Sequence, residues 1–71
     1  MKTRKTVNLI REGRFAAEIP VELIEDETGW LPYLSVDDAA RLDAARRALR
    51  DGDTAAAGRY GKVFELLPVS A

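Results

Sequence analysis

The residues with the greatest chemical potential lie in one short segment, which combines three carboxylates with two large aromatic side chains. Glu25, Asp26 and Glu27 precede Trp30 and Tyr33, in a chain that has one Trp and two Tyr among its 71 residues. Carboxylates can hold calcium or magnesium or steer a positively charged partner, and aromatic side chains often anchor protein interfaces. These five residues are therefore the predicted partner-binding residues.

Two interpretations of the aromatic side chains remain open from sequence alone. They either pin the loop to the core or present an anchor to a partner. We expect a mixed arrangement in which Trp30 packs beneath the loop while Tyr33 and the three acids face outward, because a fully exposed Trp is uncommon in a free monomer.

The composition narrows the classes of function. The chain has no cysteine and no histidine, so it lacks disulfides, thiolate ligands and the usual general base. We therefore predict that it is not an enzyme, uses no cofactor and binds no metal. No apolar run is long enough to span a bilayer, and the basic start lacks the apolar stretch of a signal peptide. We expect a cytoplasmic protein without membrane contact.

Charge is distributed unevenly along the chain, although the net charge is only −1. Residues 1–14 carry five cations and one acid, residues 15–40 carry seven acids and no cation, and residues 41–50 carry four arginines and one aspartate. Such segregation suits recognition of a charged partner, but it also suits ion pairing within the fold. Both interpretations stay open.

The basic first segment is a candidate for binding nucleic acid. Its cations are Lys2, Arg4, Lys5 and Arg11. A dimer that duplicates a basic strand can place it in a groove as a ribbon and contact phosphates. The same cations are also typical of a solubilising N-terminus.

The first half of the chain predicts a β-hairpin over about 5–25, with a turn at Glu12 and Gly13. In its second strand, apolar residues alternate onto one face: Phe15, Ala17, Ile19, Val21 and Leu23. Pro20 cannot donate a ladder hydrogen bond, so it predicts either a sheet edge at that point or a bulge.

The second half predicts helices over about 35–51 and 53–61, after an aromatic loop at 26–34. Ser35 and Asp53 are the expected N-caps, while Gly52 and Gly61 are expected to end the two helices. A final strand is predicted over about 62–67, before Pro68.

These elements together predict a single α+β domain over 1–71, of order β-β-α-α-β. A small three-stranded sheet would carry a helical hairpin on one face. The predicted core is Leu42, Leu49, Phe15, Ile19, Val21, Leu23, Val63 and Leu66. That core is small for a stable monomer, so we expect a homodimer, with the edge at Pro20 as a place where a second chain can join.

The pattern resembles a group of very small bacterial proteins described as antitoxins or as uncharacterised, over nearly the whole chain. The most specific part of the resemblance is Trp30 followed by the run Pro32-Tyr33-Leu34-Ser35. Further matching positions are Ala17-Glu18, Glu22-Leu23-Ile24-Glu25-Asp26, Thr28-Gly29, Asp38-Ala39, Leu42-Asp43, Gly52-Asp53, Val63-Phe64-Glu65-Leu66 and Pro68-Val69. A hairpin followed by a helix is also similar in layout to HicB-type antitoxins, without the aspartate- and glycine-rich signature of that family's sheet.

This resemblance implies a protein partner that is inhibited by occlusion, together with an autoregulatory DNA contact, and it implies no catalytic residue. The leading prediction is an antitoxin-like protein-binding module that neutralises a basic partner toxin through its acidic and aromatic surface. The alternatives are a dimeric nucleic-acid-binding regulator that uses the basic N-terminal strand, and a self-associating structural protein.

Overall fold

The protein, described by a computed structural model over residues 2–27, 29 and 31–69, has a four-stranded antiparallel sheet and two helices. The elements are β1 (Lys2–Glu12), β2 (Phe15–Glu25), β3 (Tyr33–Leu34), α1 (Val36–Arg50), α2 (Thr54–Ala57) and β4 (Lys62–Glu65). The predicted α+β class is confirmed. The sheet has one strand more than predicted, because Tyr33 and Leu34, assigned from sequence to a loop, pair with β2.

The hairpin of β1 and β2 is longer than the sequence indicated. Its register runs without interruption from Lys2 opposite Glu25 to Glu12 opposite Phe15. Gly13 opens the two-residue turn with φ of +61°. A left-handed residue at the first turn position suits a type II′ turn, whose twist matches that of paired strands. The turn therefore sets the register of the whole hairpin.

One face of the sheet carries the core against the two helices. The buried cluster consists of Ile10, Ala17, Ile19, Val21, Leu42, Ala45, Leu49 and Ala57. The predicted alternation in β2 places its odd-numbered residues on this face. Phe15 and Val63 pack only at the margin of the core, and Leu66, a predicted core residue, is 38% exposed. Three fully buried alanines bring the helices close to the sheet.

The helix ends follow local capping chemistry. The Oγ of Ser35 accepts a hydrogen bond from the backbone N–H of Asp38 at 3.1 Å. Gly52, with φ of +74°, follows α1, and the side chain of Asp53 accepts from the N–H of Ala56 at 3.0 Å. These three caps were predicted. Helix α2, however, has only four residues, so it is much shorter than the predicted second helix.

Strand β2 lies at the centre of the sheet and is paired differently on its two sides. Strand β1 covers one side along the full length of β2. The other side is shared by β4, which pairs with residues 15–18, and by β3, which pairs with Leu23 and Ile24. Pro20 falls between these two short strands. As predicted, β2 has a strand partner on one side only at that residue.

Two side chains of α1 fill the interval between β3 and β4. A guanidinium nitrogen of Arg41 donates to the carbonyl oxygen of Pro20 at 3.1 Å, and the N–H of Glu22 donates to Asp38 Oδ2 at 2.8 Å. Asp38 Oδ1 and Arg41 are themselves joined at 3.2 Å. This Asp38–Arg41 pair supplies the donor and acceptor that a missing strand would have supplied. The edge at Pro20 is therefore closed and does not offer a place for a second chain, contrary to the prediction.

Gly61 has a different role from the one predicted, since α2 ends at Ala57 and is followed by its C-cap Gly58. Gly61 lies directly against the backbone of β2. A Cβ at this position would collide with the carbonyl of Glu18 and would lie 3.1 Å from the Cα of Ile19. The absence of a side chain therefore allows β4 to begin in contact with the central strand.

We expect Gly61→Ala to destabilise the fold by about 1 to 3 kcal/mol, because the added methyl group must displace backbone rather than a flexible side chain. Gly58→Ala is the matched control, since its Cβ would approach no backbone atom closer than 3.2 Å. Chemical denaturation of both variants provides the comparison. Equal free energies of unfolding for the two variants would contradict this role of Gly61.

We expect Asp38→Ala to lower the free energy of unfolding by about 1 to 2 kcal/mol more than Asp37→Ala. Both substitutions remove a first-turn acid that favours the helix dipole, but only the first leaves the N–H of Glu22 without its acceptor and removes the carboxylate that pairs with Arg41. Denaturation measured side by side isolates the bridging contribution. A difference below a few tenths of a kcal/mol would show that water replaces the carboxylate without cost.

Candidate functional site

The side of the sheet opposite the helices is the largest candidate surface, and we call it the open face. Antiparallel register places the odd-numbered residues of β1 and the even-numbered residues of β2 on it. Its members are Thr3, Lys5, Val7, Leu9, Arg11, Ala16, Glu18, Pro20, Glu22, Ile24, Tyr33, Lys62 and Phe64. The buried cluster lies on the other face, so the helices leave the open face uncovered.

Four large apolar or aromatic side chains on the open face remain strongly exposed. Leu9 is 67% exposed, Val7 55%, Tyr33 48% and Phe64 42%. Ala16, between Arg11 and Phe64 in the register, is nearly buried by its neighbours. Scattered exposed apolar residues are ordinary, but a group on one sheet face is typical of an interaction surface.

The charges on the open face are arranged in opposite pairs across strands. Lys5 lies opposite Glu22, and Glu18 lies opposite Lys62. Oppositely charged neighbours across a sheet attract one another, so the two acids do not make this face strongly negative. The open face is therefore a mixture of apolar side chains and compensated charges, as in many non-obligate interfaces.

The molecule exposes more surface than its size requires. Its accessible surface is 5456 Å², whereas monomeric proteins of 7.8 kDa expose about 4,400 Å². Its radius of gyration is 14.3 Å, against about 11 Å for a compact domain of this length. The shortest dimension is 14 Å, as expected of one sheet with a single layer of helices. The excess of about 1,000 Å² is comparable to the area that one partner buries in a standard interface.

The predicted acidic residues and Tyr33, which lie within the described ranges, differ in their exposure. Glu25 is partly buried and pairs with Arg4 at 3.5 Å, Asp26 is partly buried, and Glu27 is exposed. Tyr33 lies on the open face opposite Ile24, about half exposed. The prediction that Trp30 packs beneath the loop concerns a residue outside the described ranges. Tyr33 and Glu27 are thus the predicted residues that the structure places at the surface.

The four predicted basic residues are divided between the two faces of β1. Lys2 and Arg4 share the helix side, while Lys5 and Arg11 lie on the open face. The side chain of Arg11 also donates to the carbonyl of Gly13 at 3.2 Å. A ribbon that enters a groove reads it with the side chains of one face, so this alternation separates the cations that the nucleic-acid hypothesis needs together.

Ion pairs within the fold use part of the charge that is segregated along the sequence. The pairs are Arg4–Glu25, Arg14–Glu65, Arg41–Asp38, Arg46–Glu12 and Arg50–Glu12, at 3.1 to 4.0 Å. Arg4–Glu25 and Arg41–Asp38 join a basic segment to the acidic segment 15–40, whereas Glu12, the acid of the basic first segment, pairs with two arginines of α1. Exposed pairs of this kind contribute little stability individually. They do favour the internal interpretation of the charge pattern over the recognition of a charged partner.

A hollow of about 480 Å³ lies beside the interval in the sheet, between β1 and the start of α1. Lys5, Glu22, Asp37, Asp38 and Arg41 contribute its charged lining. Asp38 and Arg41 are engaged in closing the interval, and the hydroxyl of Ser35 caps the helix. The hollow therefore arises from the missing stretch of strand.

Within residues 2–27, 29 and 31–69, no three His, Cys, Asp or Glu side chains are grouped so as to hold a metal ion. None of the helices in the same ranges has both the length and the apolar character needed to cross a bilayer. Of the acids near the end of β2, Glu25 forms an ion pair with Arg4 and Glu27 is exposed.

Sequence reasoning missed Val7, Leu9 and Phe64 as surface residues. The signal was available in β1, where Val7 and Leu9 alternate with Asn8 and Ile10, so that the apolar residues fall on both faces. A strand that is apolar on both faces of a two-layer fold must expose one set, unless something covers it. The position of Phe64 depends on the register of β4, which no local pattern specifies.

Comparison with known proteins gives no relative for this chain. No protein-family model matches it, and neither the curated proteins nor the solved structures contain a significant match.

Proposed function

We propose that this chain is a small protein-binding module of the antitoxin-like kind, which holds a partner protein against the open face of its sheet. The observation that carries this proposal is the set of exposed apolar side chains on that face, Val7, Leu9, Tyr33 and Phe64. Burying these side chains against a partner removes apolar surface from water, which is the main favourable term in protein association.

The size of the uncovered surface supports a binding role. A sheet covered on one side only has no internal reason to carry Leu9 or Phe64 on the other side, since polar residues there would cost nothing in the core. The excess of accessible surface is large enough to supply one side of a specific interface. A partner that covers this face would give the thin sheet its second layer.

The end of the face that carries Tyr33 supports a basic partner. Glu27 is exposed just beyond β2, next to this end and outside the pair of Lys5 with Glu22. Acidic groups at the rim of an interface favour encounter with a basic partner. The resemblance to antitoxins points in the same direction, to a basic toxin neutralised by occlusion.

The nucleic-acid alternative is less well supported. The cations on which it depends lie on opposite faces of β1, and Arg4 and Arg11 already have acceptors within the chain. The open face carries three cations, Lys5, Arg11 and Lys62, against two acids, Glu18 and Glu22, and each acid lies opposite a lysine. The small net positive charge that remains is a weak attraction for phosphates.

The proposal predicts that a gene next to this chain's own encodes a small basic protein, and binding to that product tests the proposal. We expect Tyr33→Ala and Phe64→Ala each to weaken binding by about 2 kcal/mol, roughly 30-fold in Kd, because aromatic anchors dominate such interfaces. Val36→Ala is the control, since Val36 is 86% exposed and belongs to helix α1, which packs against the other face of the sheet. Titration calorimetry of the four proteins gives the affinities, and thermal unfolding shows whether each variant is folded.

Two results would contradict the proposal. One is that the basic protein encoded by the neighbouring gene does not bind the wild-type chain at micromolar concentration. The other is binding that Val36→Ala weakens as much as Tyr33→Ala and Phe64→Ala do, which would move the contact to the helical side.

A further inference from the structure

Strand β1 has a free side along its whole length. It pairs with β2 over all 11 of its residues, and it forms the outer edge of the sheet as described over 2–27, 29 and 31–69. The strand contains no proline or glycine, and its register with β2 shows no bulge. Short length, proline, bulges and charged side chains are the usual devices that protect an edge from another strand. Strand β1 has none of the first three, and its four cations, Lys2, Arg4, Lys5 and Arg11, are the charged groups that a second strand must accommodate.

The backbone groups on this free side can be identified from Pro20. The carbonyl of Pro20 points to Arg41, away from β1, so Pro20 and its opposite residue Val7 do not bond to each other. The backbone of Val7 therefore faces away from β2. By alternation along the strand, the outward N–H and C=O groups belong to Thr3, Lys5, Val7, Leu9 and Arg11.

We propose that a second copy of this chain pairs with β1 in antiparallel orientation, with the two-fold axis at Val7. In this register the two strands overlap over the full span of Lys2–Glu12, and the outward groups of all five odd-numbered residues find partners. Two four-stranded sheets become one continuous sheet, with both open faces on the same side. The inference stands independently of the proposed function.

Charge and the length of the overlap together favour this register. With the axis at Val7, Lys5 lies opposite Leu9 of the second copy and Thr3 lies opposite Arg11 of the second copy, so no two cations face each other. An axis at Asn8 would place Lys5 opposite Arg11, and an axis at Lys5 would place Lys5 opposite itself, and like charges directly opposite are destabilising. An axis at Thr6 would oppose no two cations, but it would shorten the shared ladder to residues 2–10.

Complementary charge and apolar contact support the same alignment. Lys2 lies opposite Glu12 of the second copy, at each end of the shared ladder. Near the axis, Val7 meets its own copy, and Leu9 lies beside the aliphatic stem of Lys5 from the other chain. Val7 and Leu9 are 55% and 67% exposed in the single chain, so pairing covers apolar surface as well as backbone.

The closed edge of the sheet explains why the second copy joins at β1. At Pro20 the Asp38–Arg41 pair already occupies the backbone groups of β2. Among the described hydrogen bonds, none joins a side chain to the backbone groups on the free side of β1. Homodimerisation, expected from the small core, is thus assigned to the first strand.

Cysteine cross-linking of the full chain, without any partner, tests the register. The chain has no native cysteine, so Val7→Cys and Leu9→Cys each introduce one thiol at an exposed position. In the proposed dimer the two Cα atoms at position 7 are about 5.5 Å apart, within disulfide range. Those at position 9 are about 13 Å apart along the strands, which is too far.

We expect mild oxidation to convert most of the Val7→Cys chain to a disulfide-linked dimer. The Leu9→Cys chain should remain largely without a cross-link. Sedimentation of the wild-type protein should give the mass of two chains at tens of micromolar. A wild-type mass of one chain at that concentration would overturn the proposal. Equal cross-linking of the two variants, or faster cross-linking of Leu9→Cys, would also overturn it. None of these measurements uses a partner protein, so this proposal and the proposed function can fail separately.

Discussion

The second side of strand β2 is the constraint on which the rest of the structure depends. A central strand must satisfy its backbone groups on both sides, and Pro20 prevents a continuous strand from doing so on one of them. Three separate parts of the chain satisfy the backbone groups on that side: β3 near the end of β2, β4 near its start, and the Asp38–Arg41 pair between them. Helix α1 is therefore attached to the sheet by hydrogen bonds at its start as well as by its buried side chains.

Small residues make this arrangement possible at close range. Ala17, Ala45 and Ala57 are fully buried where the helices meet the sheet, and Gly61 lies against the backbone of β2. Short side chains bring elements together but bury little apolar area each. The core therefore holds few large side chains, among which Ile19 and Leu49 are the most completely buried in the described part of the chain, followed by Ile10 and Val21. A thin molecule with a small core and an uncovered sheet face is suited to acquiring further stability from another chain.

Local signals in the sequence predicted the local features well. The alternation of β2, the cap at Ser35 and the left-handed Gly52 each depend on residues within a few positions of one another. Strand β3 and the role of Gly61 could not be predicted in this way, because each is defined by a neighbour distant in sequence. The residues of the candidate site likewise divide into those predicted from local sequence and those placed by distant neighbours. Tyr33 was identified by its residue type, whereas Leu9 and Phe64 belong to the site only because register places them on one face. The pairing of Glu25 with Arg4 likewise depends on the hairpin register.

The order of strands has a consequence for how the chain reaches its native state. The hairpin of β1 and β2 closes through a two-residue turn, so its contacts are local and cost little loop entropy. The residues of β4 instead pair with positions in β2 that precede them by more than 40 residues. Contacts of such sequence separation form slowly, which makes docking of β4 a late event in folding. Gly61 lies at the first point of that docking. The close approach of Gly61 to the backbone of β2 thus belongs to a late step, and we expect a substitution there to act chiefly on the rate of unfolding.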